Sequence, residues 1–402
     1  MNFLIVSLIK AGVVAFVLMT TLAYLQWIER KVIAHIQLRV GPYRVGPHGL
    51  LQPLADVIKL ITKEGFIPSH VNLFFYMLAP FLAVTLSLIS ISVIPFGPEI
   101  EVAGVKTWLQ LTDLNIGVLF VLGISSVGVY GVALAGWASN NKYSLLGGLR
   151  SSAQMISYEL PLALTVAAPL LMLNTLSFRE IVNGQAGYLG GWLARWTIFQ
   201  LPFPQIFLGF PLFLICSFAE TNRVPFDLPE AENELVAGFH TEYSSMKFAS
   251  FFMAEYANMV TVTCVATLLF LGGWTPPFPA PYSNVIPIVL FAIGGLAALY
   301  AGINPARPKD RFTLPVAGLV FLGLAAAFAA SHLVPALETV LMALFWFCGK
   351  VLALLFLFIW IRGTLPRFRY DQLMRFAWTF MFPMAMLNLL VTSIMVALFP
   401  KP

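Results

Sequence analysis

Apolar runs of about 20 residues recur along this 402-residue chain, and they leave one class of fold open. A helix needs about 20 residues at 1.5 Å each to cross the ~30 Å hydrocarbon layer of a bilayer. Runs of that length place helices near 3–27, 72–95, 115–138, 154–174, 196–218, 248–272, 285–303, 314–334, 339–361 and 377–398. The chain therefore reads as an all-α polytopic membrane protein with about ten transmembrane helices, because only internally bonded segments survive in lipid. Composition agrees: 59% of residues are hydrophobic, 10% are charged, and mean hydropathy is +0.86. The first run is long and lacks a small-residue cleavage site, so it reads as a retained span and not a removed leader.

Charge sets the orientation. Seventeen Lys and Arg residues fall in loops on the side of the 28–71 connection, against four on the other side (Lys106, Arg179, Arg195, Lys401). The positive-inside rule then places the 28–71 loop, the acidic 219–247 loop and 362–376 in the cytoplasm, with both termini outside. The net charge of +5 follows mostly from this bias and does not point to nucleic acid.

Several chemistries are excluded. Cys216, Cys264 and Cys348 stand singly in apolar runs with no ligand spacing, and the five histidines are scattered, so no metal, iron–sulfur or disulfide site is expected. Neither a GxGxxG after a strand nor a Walker sequence occurs, so the chain itself should bind neither NAD nor ATP.

Two long loops are more than connectors. In 28–71, RVGPYRVGPHG carries two Gly-Pro pairs, after which Leu50, Leu51, Leu54, Val57, Ile58 and Ile61 recur at helical spacing. That predicts an irregular turn followed by an amphipathic helix at the membrane surface or under a partner; a plain basic anchor is the alternative. Between 219 and 243 lie Glu220, Asp227, Glu230, Glu232, Glu234 and Glu242, six of the chain's 18 acidic residues, with Arg223 as the sole cation among them. The Asp227-Leu-Pro-Glu230 spacing predicts a helix from about 228 to 237. Glu230 and Glu234 then share a face while Glu232 points away, and where water is scarce one of the pair should hold its proton. A solvated acidic helix that docks on a basic surface is the alternative. On the outer side, Ser177 to Glu180 has capping-box spacing for a short surface helix.

Four charged residues sit inside predicted spans. Glu255 lies about seven residues into its segment, roughly 11 Å deep along a helix. A charge at that depth costs about 3 kcal/mol, which favours a functional carboxyl. Lys350 is mid-span and should pair with a carboxylate on a neighbouring helix; Lys10 is close enough to the outer end to snorkel. Glu159 opens its segment near the cytoplasmic face, where function and interfacial placement are equally open.

ERKVIAHIQLRVGPYRVGPHGLLQPLADVIKLITKE (29–64), SYELPLALTV (157–166), FAETNRVPFDLPEAENELVAGFHTEYSSMKFASFFMAEY (218–256) and IWIRGTLPRFRYDQLM (359–374) together resemble the H subunit of proton-pumping NADH:quinone oxidoreductase, respiratory complex I. The resemblance runs over nearly the whole chain except about 277–337. It implies a membrane-arm component of the bacterial inner membrane that holds no redox cofactor, docks under the hydrophilic arm and forms most of a quinone chamber. Quinone would be the substrate; FMN and iron–sulfur clusters would sit in partner subunits, and small membrane subunits would flank the chain. Carried over by position, the proton pathway is Glu159, Glu220, Asp227, Glu230, Glu232, Glu234 and Glu255. Along or beside the chamber would lie Arg30, Arg39, Asp56, Arg223 and Phe226.

The resemblance also divides the chain. An eight-helix core would comprise 1–276 and 338–402, and 283–335 would be an added transmembrane hairpin joined by NPARPKDR, placed peripherally and away from the chamber. Two other functions stand against this one. The equivalent subunit of a membrane-bound hydrogenase, or of a dehydrogenase with another donor, would share the motifs. A stand-alone ion transporter would use Glu255 and Lys350, although no inverted repeat with broken helices is evident.

Overall fold

Ten apolar segments thread back and forth in the computed structural model, which describes residues 2–102, 105–200, 203–227, 236–303, 305 and 310–399. Among the described residues, nine helices are long and apolar enough to cross a membrane. They are α1 (Asn2–Ile36), α3 (Leu73–Ile91), α4 (Gly117–Ala138), α5 (Lys142–Leu173), α8 (Ser245–Phe270), α9 (Tyr282–Ile303), α10 (Asp310–Ser331), α11 (Pro335–Thr364) and α12 (Tyr370–Leu398). Short helices α2 (Gln52–Thr62) and α6 (Phe178–Gly184) lie between them, on two connections whose residue spacing predicts helices. Two small β-hairpins, Glu99–Val102 with Val105–Trp108 and Tyr188–Leu189 with Leu193–Ala194, close the end opposite the 28–71 connection.

The tenth segment departs from expectation. Apolarity predicts a helix over 196–218, but α7 spans only Gly209–Glu220, roughly 18 Å at 1.5 Å per residue, too short to cross the bilayer core alone. Pro204 lacks an N–H donor and pushes its predecessor out of the helical region. The chain before α7 is instead irregular and pinned to α8, with Ile198 N donating to Phe270 O at 3.2 Å and Ile206 N to Ile198 O at 3.1 Å. Trp196, Thr197, Ile198 and Gln205 are buried, so this irregular backbone is covered by protein and not by lipid.

Proline shapes α12 as well. Pro383 would clash with the carbonyl four residues back, and the helix answers with a π turn over Ala377–Met381, in which Phe382 N reaches Ala377 O.

With no water to expel, helices in lipid associate through close packing at small residues. At the α4–α5 crossing a Cβ on Gly136 would meet Ser144 O at 2.8 Å and Gly148 Cα at 3.0 Å. The α9–α10 pair uses the same device: a Cβ on Gly295 would come within 3.0 Å of Gly318 O. Phe291 and Phe328 then stack at 5.6 Å, and both meet Phe345 of α11 edge-on.

α2 is amphipathic as its spacing indicates. Leu54, Val57, Ile58 and Ile61 are exposed, while its end is tied to α8 by Ser245 Oγ donating to Leu60 O and Lys63 O. The helix expected at 228–237 lies almost wholly outside the described residues.

The seam at Gly136 is testable against Gly123 of the same helix, whose Cβ position is empty within 4 Å. Gly136→Ala should lower the stability of the detergent-solubilised complex by about 1–3 kcal/mol, whereas Gly123→Ala should leave it unchanged or slightly raised, as read from thermal midpoints.

Candidate functional site

At the C-terminal end of α7 the chain makes a tight turn that returns into the protein. Asn222 takes a left-handed φ of 51°, and the turn is fastened by Gln154 of α5, whose Nε2 donates to Ala219 O at 2.8 Å and Phe226 O at 2.7 Å. Phe226 is buried between Tyr158 and Phe368, each ring centroid 5.5 Å away. Tyr158 in turn donates its hydroxyl to Leu373 O at 2.9 Å.

This turn drives Arg223 into the interior, where it is 4% exposed. Its Nη1 lies 3.1 and 3.2 Å from the two carboxylate oxygens of Glu29, and its Nε lies 2.6 Å from Glu255 Oε1. The guanidinium carbon sits 4.2 Å from the Tyr256 ring centroid, and Arg362 also donates to Glu29. Two arginines and two carboxylates thus meet from α1, the turn after α7, α8 and α11. Burial disfavours the charged guanidinium, but Glu255 and Glu29 outweigh it and hold Arg223 well above its ordinary pKa. Such a cluster is stable as a set, and loss of one member leaves a buried charge unmatched, a cost of about 3–5 kcal/mol.

Beside the cluster, α3, α4, α5 and α8 enclose a polar cavity of about 60 Å³, enough for a few waters. Glu220, Asp227 and Glu255 all line it, with Ser125, Asn222 and His240. Ser125 donates to Glu220, and its neighbour Ser126 donates to Glu159, so adjacent hydroxyls of α4 hold two carboxyls from different helices. Asp227 is buried and paired at 3.0 Å with Arg367. His240, by contrast, is neutral: burial pushes its pKa down to about 4 against a weaker opposing bond to Ala237.

The residues carried over from the resemblance therefore fall into three groups. Glu220, Asp227, Glu255 and Arg223 converge with Phe226 on this one site, and Glu159 reaches it through α4. Glu230, Glu232 and Glu234 lie outside the described residues. Arg30 and Asp56 form a separate pair at 2.9 Å between α1 and α2, with Gln52 donating to Asp56 at 3.0 Å. Arg39 stays exposed, its Nε bonded to Gln37 Oε1 at 2.7 Å.

Lys350 corrects an expectation. Among the described residues it pairs with no carboxylate; its Nζ donates to Leu271 O, Gly273 O and Thr275 O at 2.6, 2.8 and 2.6 Å and lies 4.1 Å from the Trp196 ring centroid. The C-terminal end of α8 presents free carbonyls and a partial negative charge, and the ammonium neutralises both. Lys10 behaves alike at the same end, donating to Thr107 Oγ1, Trp108 O and Gln110 O.

Sequence reasoning missed Glu29, Arg362, Ser125 and Ser126. The first two stand in basic stretches that read as topology signals, although a glutamate at the very end of an apolar run was available as a sign.

Comparison with known proteins fits this picture. The family model described as NADH dehydrogenase matches residues 9–393. An H subunit of NADH-quinone oxidoreductase from Solibacter usitatus, the one numbered 1 there, is 66% identical over 397 residues, covering 98% of both chains. The H subunit numbered 2 from Koribacter versatilis is 49% identical with the same coverage, and that numbered 2 from Geobacter metallireducens is 44% identical over 99% of this chain and 97% of its own. Alignments so complete leave no room for the α9–α10 hairpin to be missing from these relatives. From matches of this extent, together with its helical architecture, the chain belongs to the NADH dehydrogenase family, among the H subunits of NADH-quinone oxidoreductase.

Proposed function

We propose that this chain forms the membrane side of a quinone chamber and carries the carboxyls that convert quinone reduction into a charge signal along the membrane arm. The chain is a membrane component of a multi-subunit NADH-quinone oxidoreductase, and its nine long apolar helices make it a multi-pass membrane protein. The finer reading rests on one observation: Arg223 is shared between Glu29 and Glu255, and Glu255 opens onto a cavity lined by Glu220 and Asp227.

The Lys/Arg bias puts the end bearing α2 and the 221–244 loop in the cytoplasm of a bacterium, with both termini across the inner membrane. Hydrophilic quinone-site and iron–sulfur subunits would dock there, with small membrane subunits at the sides. Electrons come from those partners. Quinone reduction takes up two protons, and the Arg30–Asp56 pair and Glu29 at this end of α1 and α2 feel the change in charge. Glu29 and Glu255 compete for one guanidinium, so a change in charge at Glu29 alters the field at Glu255. Coupled carboxyls respond as a set, so the shift passes to Glu220, Asp227 and Glu159 through the cavity and the α4 hydroxyls. Glu230, Glu232 and Glu234 extend the same pathway in this reading.

In the assembled complex, Glu255→Gln should lower NADH-driven quinone reduction roughly tenfold or more, in the range of a lost proton-transfer group, while NADH oxidation by an artificial acceptor persists. Full coupled turnover in that variant would contradict the reading. His240 supplies a negative control. Its depressed pKa means the unfolded chain binds the extra proton between about pH 6.5 and 4, so His240 costs the fold stability only as pH falls through that window. His240→Gln should therefore leave the pH profile of quinone reduction between about 6 and 8 unchanged.

A further inference from the structure

The sequence places the α9–α10 hairpin apart from the chamber, yet one end of it grips the 41–49 turn. His48 Nε2 lies 3.1 Å from Asp310 Oδ1 and 2.7 Å from Thr313 Oγ1, both in the first turn of α10. The hydrogen bond of Nε2 is the one to Thr313 Oγ1, while Asp310 Oδ1 lies within ion-pair distance without a hydrogen bond to it.

The turn that bears His48 is a closed unit. Gly46, His48 and Gly49 have φ of 71°, 50° and 78°, and a Cβ on Gly49 would lie 2.5 Å from Pro42 O. Its other side rests on α1: a Cβ on Gly41 would meet Arg30 O and Lys31 Cα at 3.2 Å. Tyr43 meets His48 edge-on at 5.5 Å and has Lys31 Nζ 5.6 Å from its own ring centroid. A push on His48 is therefore transmitted to the backbone of Arg30, the residue paired with Asp56.

The hairpin is stiff enough to push. Gly295 and Gly318 bring its helices into contact, and Phe291 and Phe328 lock onto Phe345 of α11. At the far end Glu338 of α11 accepts from Asn284 at 3.0 Å and lies 2.8 Å from His332 Nδ1. The hairpin is held at both ends, with α11 as its anchor and the 41–49 turn as its load.

We infer that the hairpin is a strut whose Asp310 and Thr313, through His48, hold the 41–49 turn against α1, and that these are positioning residues for quinone binding; the second half of this rests on the chamber reading above. The test changes the hairpin side only, which leaves the strained turn unaltered. Asp310→Ala/Thr313→Val and the conservative Asp310→Asn, which keeps the His48–Thr313 bond, are compared in the purified intact complex by hydrogen exchange over residues 41–51 and by quinone-reductase kinetics with a short-chain ubiquinone.

Loss of the partly exposed His48–Thr313 hydrogen bond is expected to speed exchange of the turn and raise KM for quinone about three- to tenfold with kcat within about twofold, while Asp310→Asn stays near wild type. Unchanged exchange in the double variant would overturn the strut. Faster exchange with unchanged KM would leave the strut standing and remove the turn from the quinone site. An equal loss in Asp310→Asn would show that the charge at the start of α10, and not the bond to His48, is what matters, and would also overturn the proposal.

Discussion

A charge placed inside a membrane protein must be matched, and the architecture of this chain turns on how it matches Arg223. The guanidinium is buried and always protonated, so it needs carboxylates within reach, and it recruits two of them from separate helices. Glu29 is itself shared with Arg362. The result ties α1, α8 and α11 to the turn after α7. An arrangement of this kind is responsive as well as stable. Altering the charge of one carboxylate alters the field at the other across a single planar group.

The two ends of the molecule solve the same problem differently. At the far end, Lys10 and Lys350 are held mainly by carbonyl oxygens, which are fixed dipoles without protons to exchange, with the Thr107 hydroxyl also accepting from Lys10. Near the α2 end, the partners are carboxylates, with hydroxyls and room for water beside them. Carbonyl cages anchor; carboxylates within reach of water can gain and lose protons. This asymmetry puts the groups able to exchange protons at the end that also carries Arg30 and Asp56.

Much of this was legible in the residues. Length and apolarity suffice to mark a span in lipid, so nine of the ten segments could be read without knowing what packs where. The tenth needed more, because Pro204 breaks the helix only if protein is there to satisfy the freed backbone. The isolation of Glu255 in an aromatic segment singled it out as a candidate, and its partner Arg223 was visible as the one cation of the acidic loop. Their pairing was not, since the contact depends on a turn set by Gln154, 65 residues away from the carbonyl it holds. Glu29 and Arg362 were hidden by their basic neighbours, and the partners of Lys350 were out of sight because carbonyl acceptors at a helix end leave no mark in side-chain composition.

The most direct test of the shared guanidinium is redox-triggered infrared difference spectroscopy of the assembled complex in the carboxyl stretching region. Quinone reduction should produce a carboxyl signal in the wild type that is lost or shifted in Arg223→Lys, since a point charge cannot bridge Glu29 and Glu255 as a planar fork does. Identical carboxyl spectra in the two, with quinone still reduced, would show that Arg223 plays no part in carrying the signal.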